Sequence, residues 1–398
     1  MSRPADDATG LRGTKAMVFK RIVTNTLARA GIAINGDRPW DIQVLQNRFF
    51  RRAARGPLGL GESYMDRDWD VSCLDELFRH VISAGLDHSY LAQFNRLWLD
   101  LHARLSNLQS RRRARAVAEE HYDLDYRMYE NFLGPYNQYT CCFFDGTDDL
   151  DEAEIKKLEI ICDKLEIKTG DEVLDIGCGW GGFAKYAAST RGCQVTGVSL
   201  SWEQVEYARK YTEGLPVEII HSDYRLLPDK LCTRFDKILI CGMIEHVGYK
   251  NYGNLMTVVH HLLKDHGLFL LHTIGNSEDT AIVNPWIEKY IFRNSMAPSM
   301  LQLARSIRGL FTVHDWENYG HYYSNTLSAW QENFERNWET IKALKTARPF
   351  DEKFRRMWNY YLLSCKAAFD VEDLQLWQIV MSKMGLRHSV YPRVNLQT

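Results

Sequence analysis

A glycine-rich turn between an apolar run and a helix start restricts the fold of this chain more than any other feature. Residues 173–182 read Val-Leu-Asp-Ile-Gly-Cys-Gly-Trp-Gly-Gly, which predicts a buried strand followed by a tight turn. The glycines at 177, 179 and 181 let the backbone approach a ligand, because no Cβ intervenes. The pattern differs from the dinucleotide fingerprint and lacks the Gly-Lys-Ser/Thr of a phosphate-binding loop.

The spacing that remains is an acidic residue, Asp175, followed by three alternating glycines. This is the pattern of the turn that binds S-adenosylmethionine in methyltransferases, and Gly177 and Gly179 are its candidate contacts. An ordinary tight turn between strand and helix is the alternative interpretation, and the sequence favours the ligand-binding turn.

Length and composition limit the class of protein. The chain has 398 residues and a formal net charge of −2, so we expect more than one folding unit and no nucleic-acid partner. Its nine cysteines are scattered without a Cys-x-x-Cys pair, which argues against a disulfide framework or a zinc site. We find no signal peptide and no apolar run of the roughly 18 residues that span a bilayer. We therefore expect a cytoplasmic protein with peripheral membrane contact.

Residues 14–117 combine helical patterning with many basic side chains. Apolar residues recur at helical spacing from Val18 to Ala30, with lysine and arginine among them. The runs Phe49-Phe50-Arg51-Arg52 and Arg111-Arg112-Arg113 contribute further positive charge, the first directly beside aromatic side chains. Such clusters are either solvated helix faces or a surface attracted to anionic lipid headgroups. We assign this region as a helical, basic lipid-interaction domain.

Two shorter segments are assigned by composition. The polar residues 1–13 are expected to be disordered. Residues 56–61, Gly-Pro-Leu-Gly-Leu-Gly, are expected to form a loop, since glycine and proline commonly interrupt helices.

From residue 118 to 398 the pattern changes to alternating strands and helices. Such alternation predicts a parallel sheet covered on both faces. The candidate strands are 172–176, 194–199, 217–220, 236–241 and 267–273. The predicted fold class is therefore α/β, a Rossmann-like class I methyltransferase with a doubly wound sheet, joined to the smaller helical N-terminal domain.

Ligands of such sheets bind beyond the carboxyl ends of the strands, so polar residues at those ends are candidate contacts. Ser199 follows the second strand, where most methyltransferases place an acidic residue, and with Gln204 it can hydrogen-bond a ribose diol. Asp223 and Tyr224 follow the third strand and offer an acceptor for an adenine amine and an aromatic face for its ring. The alternative for this pair is a loop acid beside a half-buried tyrosine.

Two further strand ends carry titratable side chains. Glu245 follows the fourth strand and His272 ends the fifth, so both are expected beside the glycine turn. One buried histidine is usually structural, but two histidines, His246 and His272, with a glutamate on adjacent strand ends beside a cofactor turn favour function. No His-x-x-x-His spacing or third ligand accompanies them, so we predict no metal.

Several further stretches, taken together in their order and number, are typical of one protein family. They are residues 59–66, 120–123, 138–141, 242–248, 271–275, 285–292 and 375–378, together with the glycine turn. Through these stretches the chain resembles the bacterial cyclopropane fatty acid synthases over nearly its whole length.

The resemblance implies a reaction and a set of catalytic residues. Enzymes of this family transfer the methyl group of S-adenosylmethionine to a cis double bond in a phospholipid acyl chain, and proton loss then closes a cyclopropane ring. A bound bicarbonate is the base in the family. Its ligands correspond here to the side chains of Glu245, His272 and Tyr323 and to the backbone amides of Cys141 and Ile274.

The resemblance also implies cofactor contacts. They correspond to Tyr139, Thr140, Gly177, Gly179, Ser199, Gln204 and Tyr224. The Cys141 thiol is interpreted as packing, because the chemistry needs no covalent enzyme intermediate. The chain departs from the family at Asp125-Tyr126-Arg127, where a small polar run with glycine is usual. Asp125 would be strained if that position required a positive φ, and the bulk of its neighbours would alter which lipid enters.

Three functions remain open at this stage. The first is a cyclopropane synthase that acts on membrane phospholipids with unsaturated acyl chains. The second is a relative that makes a methyl-branched chain or methylates a small-molecule amine. The third is a non-catalytic lipid-binding protein, which would tolerate loss of the glycine turn or of Glu245. A homodimer is compatible with the family resemblance.

Overall fold

The computed structural model describes residues 7–86, 125–278, 284–346 and 349–385, with side chains from residue 16 onward. The strands are β1 (Gln43–Val44), β2 (Trp69–Asp70), β3 (Glu172–Ile176), β4 (Gln194–Ser199), β5 (Val217–His221), β6 (Phe235–Cys241), β7 (Leu263–Asn276), β8 (Phe311–Asn318) and β9 (Leu374–Lys383). The helices are α1 (Asp7–Arg29), α2 (Arg48–Ala53), α3 (Pro57–Met65), α4 (Leu74–Ser83), α5 (Tyr126–Glu130), α6 (Leu150–Lys164), α7 (Gly182–Arg191), α8 (Trp202–Tyr211), α9 (Leu227–Lys230), α10 (Tyr252–Leu262), α11 (Pro285–Tyr290), α12 (Met300–Ile307), α13 (Gly320–Arg336), α14 (Trp338–Lys342) and α15 (Glu352–Asp370). Short 3₁₀ helices lie at Tyr224–Leu226, Ile244–His246 and Tyr249–Asn251.

Within the described residues, seven strands form one sheet in the order β5-β4-β3-β6-β7-β9-β8. The first five strands of this order are parallel, and β9 pairs antiparallel with both β7 and β8. The chain winds outward from β3 to β5 and then returns to add β6 on the other side of β3. This reversal opens a crevice at the carboxyl ends of β3 and β6, where doubly wound sheets bind ligands.

Helices cover both faces of the sheet, as the alternation of side chains along β3 requires. Leu174 and Ile176 pack in a core with α10 and α12, whereas Val173 packs in a second core with α6 and α7. The doubly wound fold and four of the five predicted strands agree with the sequence to within one residue. The fifth strand, β7, is longer than predicted.

The prediction of a wholly parallel sheet is wrong at one edge. Strands β8 and β9 were not predicted, and they add an antiparallel edge beyond β7. Strand β8 is mostly half-buried or exposed and polar, so it lacks the apolar run that identified the parallel strands. Its place in the sheet depends on pairing with β9, which is distant in sequence.

The N-terminal helices share a core with the region that contains the seven-stranded sheet. Val23 and Leu27 of α1 and Phe78 of α4 belong to the same apolar cluster as Trp286 of α11 and Phe369 of α15. Helices α3 and α4 pack on α15. The residues 7–86 are mainly helical, and they form one wall of the common core. The predicted boundary at residues 117 and 118 lies outside the described residues.

Two assignments made from composition need correction. Helix α1 begins at Asp7, inside the segment 1–13 that was predicted to be disordered, and the structure does not describe residues 1–6. The predicted loop at 56–61 belongs to α3, which begins with Pro57 at its first position, where proline suits a helix. Position 61 of this helix requires glycine, because a Cβ there would lie 2.3 Å from the ring of Trp286.

The described helices include none that combines the length and the apolar character needed to cross a bilayer. All nine cysteines lie in the described residues and are free thiols.

Candidate active site

One cavity of about 590 Å³ connects the glycine turn to the N-terminal helices. Gly177, Gly179 and Gln204 line it at the glycine turn, which we call the cofactor end, and Ile22, Leu27, Phe78, Val81 and Ile82 line it from the N-terminal helices. The lining also includes Tyr139, Thr140, Glu245, His272, Ile274 and Tyr323. Its volume is in the range of cavities that hold whole small-molecule ligands.

The turn after β3 has the backbone that its glycines predict. Gly177 has φ +92° and donates its N–H to Val198 O at 2.8 Å, which fixes the turn against β4. A Cβ at this position would lie 2.7 Å from Met243, so only glycine fits without displacing the residues after β6. The turn therefore exposes backbone to the cavity at the switch point of the sheet.

The two predicted ribose contacts, Ser199 and Gln204, are hydrogen-bonded to each other. Ser199 Oγ donates to Gln204 Oε1 at 2.8 Å, and both side chains are buried. Gln204 lines the cavity, while Ser199 stands behind it. In this structure Ser199 positions the amide of Gln204 at the cofactor end.

Asp223 and Tyr224 lie behind the cavity wall. Asp223 caps the short helix that follows β5, accepting the N–H of Arg225 at 3.0 Å. Tyr224 packs in the core with Ile176 and Val198. Neither side chain is among those that line the cavity.

Tyr139 and Thr140 reach the cavity on a segment held by a buried lysine. Lys157 of α6 is fully buried, and its Nζ donates to Gln138 Oε1 at 2.7 Å and to Thr140 Oγ1 at 3.1 Å. Tyr139 donates its hydroxyl to Tyr361 of α15 at 2.8 Å. The segment 138–140 is thus hydrogen-bonded to both α6 and α15.

Glu245 is held by backbone and side chain of β7. Its Oε1 accepts the N–H of Ile274 at 2.8 Å and the hydroxyl of Thr273 at 2.9 Å. Its Oε2 is buried and has no hydrogen-bond partner among the described residues. Burial raises the pKa of this carboxyl, and its hydrogen bonds to Ile274 and Thr273 oppose that effect. The predicted Ile274 amide is therefore engaged by Glu245.

His272 is buried on β7 with one ring nitrogen partnered and the other not. Its Nδ1 lies 3.3 Å from Gln378 Nε2, and its Nε2 has no partner within the described part of the chain. Burial keeps the pKa of His272 well below its usual value, and the nearby ammonium groups of Lys157 and Lys164 lower it further. The imidazole is consequently neutral at physiological pH.

Of the remaining two predicted anion ligands, Tyr323 lines the cavity and Cys141 is not among the residues that line it. Tyr323 of α13 lines the cavity and stacks on Phe369 with ring centroids 4.3 Å apart. The Cys141 thiol points to Thr326, with Sγ and Oγ1 3.6 Å apart, and burial raises its pKa. This placement matches the interpretation of the thiol as packing.

The family departure at 125–127 lies at the cofactor end. Asp125 caps α5 with φ −50° and accepts the N–H of Arg127 at 3.0 Å, so no positive φ is required there. Tyr126 packs against Trp180 and Tyr207 with centroids 6.4 and 5.1 Å away. Because Trp180 belongs to the glycine turn, we expect this departure to affect the cofactor end rather than lipid entry.

Two residues of the site were missed in the sequence, one that lines the cavity and one that contacts His272 from the neighbouring strand. Asp175 lines the cavity at the end of β3, and burial raises its pKa to about 7. Its acidic position before the glycines was the available signal. Gln378 of β9 was part of a matching motif, but its contact with His272 follows from an antiparallel pairing that the sequence does not reveal.

The unpartnered polar groups at this site, a carboxylate oxygen and an imidazole nitrogen, fit a small anion that also carries a hydroxyl. Glu245 Oε2 and His272 Nε2 are buried atoms without partners on residues that line one cavity, and bicarbonate has both acceptor oxygens and one O–H. No group of three or more histidine, cysteine, aspartate or glutamate side chains suited to a metal is found in the described residues.

A glycine turn at the switch point of a doubly wound sheet, opening into a buried cavity, defines the class: an S-adenosylmethionine-dependent methyltransferase. Residues 109–379 match the family model described as mycolic acid cyclopropane synthetase, and the chain belongs to this family.

A relative by sequence and two solved structures agree with this class and this family. The chain is 46% identical over 364 residues to the cyclopropane-fatty-acyl-phospholipid synthase of Escherichia coli K12, covering 91% of this chain and 93% of that protein. The mycolic acid cyclopropane synthase CmaA1, solved with SAH and CTAB, is 25% identical with a TM-score of 0.60, covering 67% of this chain and 97% of that chain. Coclaurine N-methyltransferase bound to N-methylheliamine and SAH has a TM-score of 0.64 at 22% identity, covering 81% and 99%, and shares the fold.

Proposed function

We propose that this enzyme transfers the methyl group of S-adenosylmethionine to the cis double bond of an unsaturated phospholipid acyl chain, and that bicarbonate-assisted proton loss then closes a cyclopropane ring. The observation that carries the proposal is the single cavity. Its lining includes the cofactor turn, apolar side chains of the N-terminal helices, and both Glu245 and His272.

The cavity favours methyl transfer to a weak carbon nucleophile, because it keeps its own thiols in the protonated, less nucleophilic form. An alkene competes poorly with a thiolate for a sulfonium methyl group. Burial raises the pKa of Cys241 to about 11 and that of Cys365 to about 12, and it raises the pKa of Cys178 well above its usual value. All three line the cavity and remain protonated thiols at neutral pH.

The phenols of the cavity behave in the same way. Burial raises the pKa of Tyr139, Tyr323 and Tyr361 well above the ordinary value, so each stays a neutral hydroxyl. Their ring faces can stabilise positive charge that develops on the acyl chain after methyl transfer. The wall thus accommodates a cation without offering it a nucleophile.

The residues at the centre would hold bicarbonate with complementary groups. His272 Nε2 and the Tyr323 hydroxyl can donate to its oxygens, and Glu245 Oε2 can accept its O–H and so orient it. The Cys141 amide completes the proposed set, and Ile274 contributes by holding Glu245. When bound, bicarbonate would supply the base that removes a proton from the transferred methyl group.

The outer surface of α1 supports entry of a lipid from a membrane. Met17 is 70% exposed and Val18 is 51% exposed. Val18, Ile22 and Thr26 follow one another at helical spacing, and the last two line the cavity. An apolar stripe therefore leads from solvent into the site.

Basic side chains accompany this stripe. Lys20 lies 5.6 Å from the ring of Phe50, which brings α1 beside α2. Arg51 and Arg55 are exposed, and the described residues give them no ion pair, whereas Arg52 pairs with Asp66 at 2.8 Å. We propose peripheral contact with anionic lipid through this surface. Arg111-Arg112-Arg113 lie outside the described residues.

The alternative of a small-molecule amine substrate is not favoured. An amine methyltransferase does not need the anion-binding groups, and the phospholipid synthase of E. coli matches nearly the whole chain. A methyl-branched product would arise from the same carbocation by a different proton loss. Homodimer formation and a cytoplasmic location are further proposals, which light scattering and cell fractionation test.

The test is product analysis. The protein is incubated with methyl-labelled S-adenosylmethionine and vesicles of cis-monounsaturated phospholipid, with and without bicarbonate, and the released fatty acids are examined by mass spectrometry and proton NMR. A one-carbon gain with upfield ring-methylene protons that depends on bicarbonate is expected. Retained alkene protons would favour the branched product, and unlabelled lipid would refute the proposal.

A further inference from the structure

Gln378 contacts the imidazole of His272 from the neighbouring strand. The two residues are register partners in the antiparallel pair of β7 and β9, and both are buried. Gln378 Nε2 lies 3.3 Å from His272 Nδ1, and the ring of Phe143 stacks on the imidazole with centroids 6.3 Å apart. The ring is therefore fixed in one orientation by a polar and an aromatic neighbour.

This contact decides which ring nitrogen carries the proton. A neutral imidazole has one N–H, and burial keeps His272 neutral, as its lowered pKa indicates. Because the amide of Gln378 donates to Nδ1, that nitrogen is the acceptor and the proton resides on Nε2. The Nε2 atom is buried without a partner among the described residues, on a side chain that lines the cavity.

The opposite tautomer would change what the cavity binds. With the proton on Nδ1, His272 Nε2 would be an acceptor, and Glu245, which lines the same cavity, already carries an unpartnered acceptor in Oε2. A cavity wall with these two acceptors would bind a hydrogen-bond donor or a cation. With the proton on Nε2, the wall pairs one donor with one acceptor, which matches an anion that carries a hydroxyl.

We infer that Gln378 is a positioning residue that fixes the Nε2-protonated tautomer of His272 and thereby makes this wall of the cavity bind an anion. The identity of that anion as bicarbonate rests on the proposed function. The tautomer itself does not, so the two can be tested separately.

The first measurement is made on the parent protein, with one variant used only for assignment. The protein is labelled with ¹⁵N-histidine, and the His272 ring is assigned by the signals lost in His272→Asn. The expected spectrum at neutral pH shows the proton on Nε2 and an unprotonated Nδ1. A proton on Nδ1 in the parent protein would overturn the inference, whatever the enzyme's response to bicarbonate.

The second measurement uses Gln378→Glu, in which a carboxylate can only accept and so draws the proton to Nδ1. We expect the ring signals to change accordingly and the KM for bicarbonate to rise about tenfold or more, with the KM for S-adenosylmethionine nearly unchanged. Gln375→Glu is the matched control on the same strand, since Gln375 contacts Ser277 and Trp377 instead. An unchanged bicarbonate KM in Gln378→Glu would refute the role, whereas a parent enzyme indifferent to bicarbonate would refute only the proposed base.

Discussion

Glu245 Oε1 accepts the backbone N–H of Ile274 at 2.8 Å, so the carboxylate that follows one strand is held by the backbone of the next. The Thr273 hydroxyl donates to the same oxygen at 2.9 Å. These two bonds use one oxygen and leave Oε2 without a partner among the described residues. The fold thus orients an acceptor at the site through β7 itself, which also carries His272.

Glu245→Gln is expected to preserve the fold and lose activity. A glutamine carbonyl can keep both bonds from β7, but its amide nitrogen places a donor where the site needs an acceptor. We expect turnover to fall about 10²–10⁴-fold while the affinity for S-adenosylhomocysteine, measured by calorimetry, stays close to that of the parent. Thr273→Val, which removes one bond but keeps the carboxylate, should lose less. Unchanged turnover of Glu245→Gln at saturating bicarbonate would contradict the orienting role.

Asp175→Asn is expected to stabilise the protein in a pH-dependent manner. Burial raises the pKa of Asp175 to about 7, and Lys157 only partly opposes this. The folded state therefore retains a proton that the unfolded chain loses near pH 4, so the contribution of Asp175 to stability falls as pH rises from about 4 to about 7. The variant should gain about 2–4 kcal/mol at pH 8 and little at pH 4.

Denaturant unfolding at the two pH values measures this difference. Asp229→Asn, at an exposed residue of α9, is the control and should change stability little at either pH. An Asp175→Asn gain that is equal at pH 4 and pH 8 would show that packing, and not the buried charge, accounts for it.

The parallel half of the sheet could be predicted because its strands are buried on both faces and appear as continuous apolar runs. The antiparallel edge could not, since β8 gains its structure from pairing with β9. Helix α3 was misread because glycine and proline usually end helices. Here Gly61 is required by the ring of Trp286, a tertiary contact that no local pattern contains.

The site also contains residues that could be predicted from the sequence and residues that could not. Glu245 and His272 follow strand ends, so the rule for parallel sheets brings them together from sequence alone. Other residues that position the site come from elements that the sequence did not single out: Gln378 of the unpredicted β9 contacts His272, and Lys157 of α6 holds Gln138 and Thr140. A charged residue in the middle of an amphipathic helix is normally taken as solvated, so Lys157 gave no signal.

Arg356→Met is expected to loosen the N-terminal helices from the catalytic region. The buried guanidinium donates to Tyr64 O at 2.7 Å and to Trp69 O at 3.1 Å. It also lies 3.8 Å from the Tyr64 ring centroid. Its loss leaves two buried carbonyls with fewer donors, and we expect about 3 kcal/mol of destabilisation in denaturant unfolding.

The neighbouring Arg355 provides a matched control. It pairs with Glu335 at the edge of α15, where both side chains are partly exposed. Arg355→Met should cost no more than about 1 kcal/mol. Equal costs for the two variants would mean that the contacts of Arg356 with the N-terminal residues do not stabilise the fold beyond an ordinary surface arginine.

The basic side chains beside the α1 stripe are expected to bring the enzyme to anionic membranes. Arg51 and Arg55 lack ion pairs in the described structure, so their charge is available to lipid, unlike that of Arg52. Each is expected to contribute about 1 kcal/mol, and the double variant Arg51→Ala/Arg55→Ala should bind vesicles of anionic phospholipid roughly thirtyfold more weakly. Its salt dependence should also be shallower than that of the parent.

A second double variant tests whether the location of the positive charge matters, and not only its amount. Lys230 ends α9 just before β6 begins, at the edge of the sheet opposite the glycine turn, and Lys210 lies in the last turn of α8. Lys210→Ala/Lys230→Ala removes the same charge as the first variant. Because neither lysine belongs to the α1–α2 surface, vesicle binding should stay near that of the parent. An equal loss in both double variants would assign membrane attraction to net charge and remove the argument for lipid entry along α1.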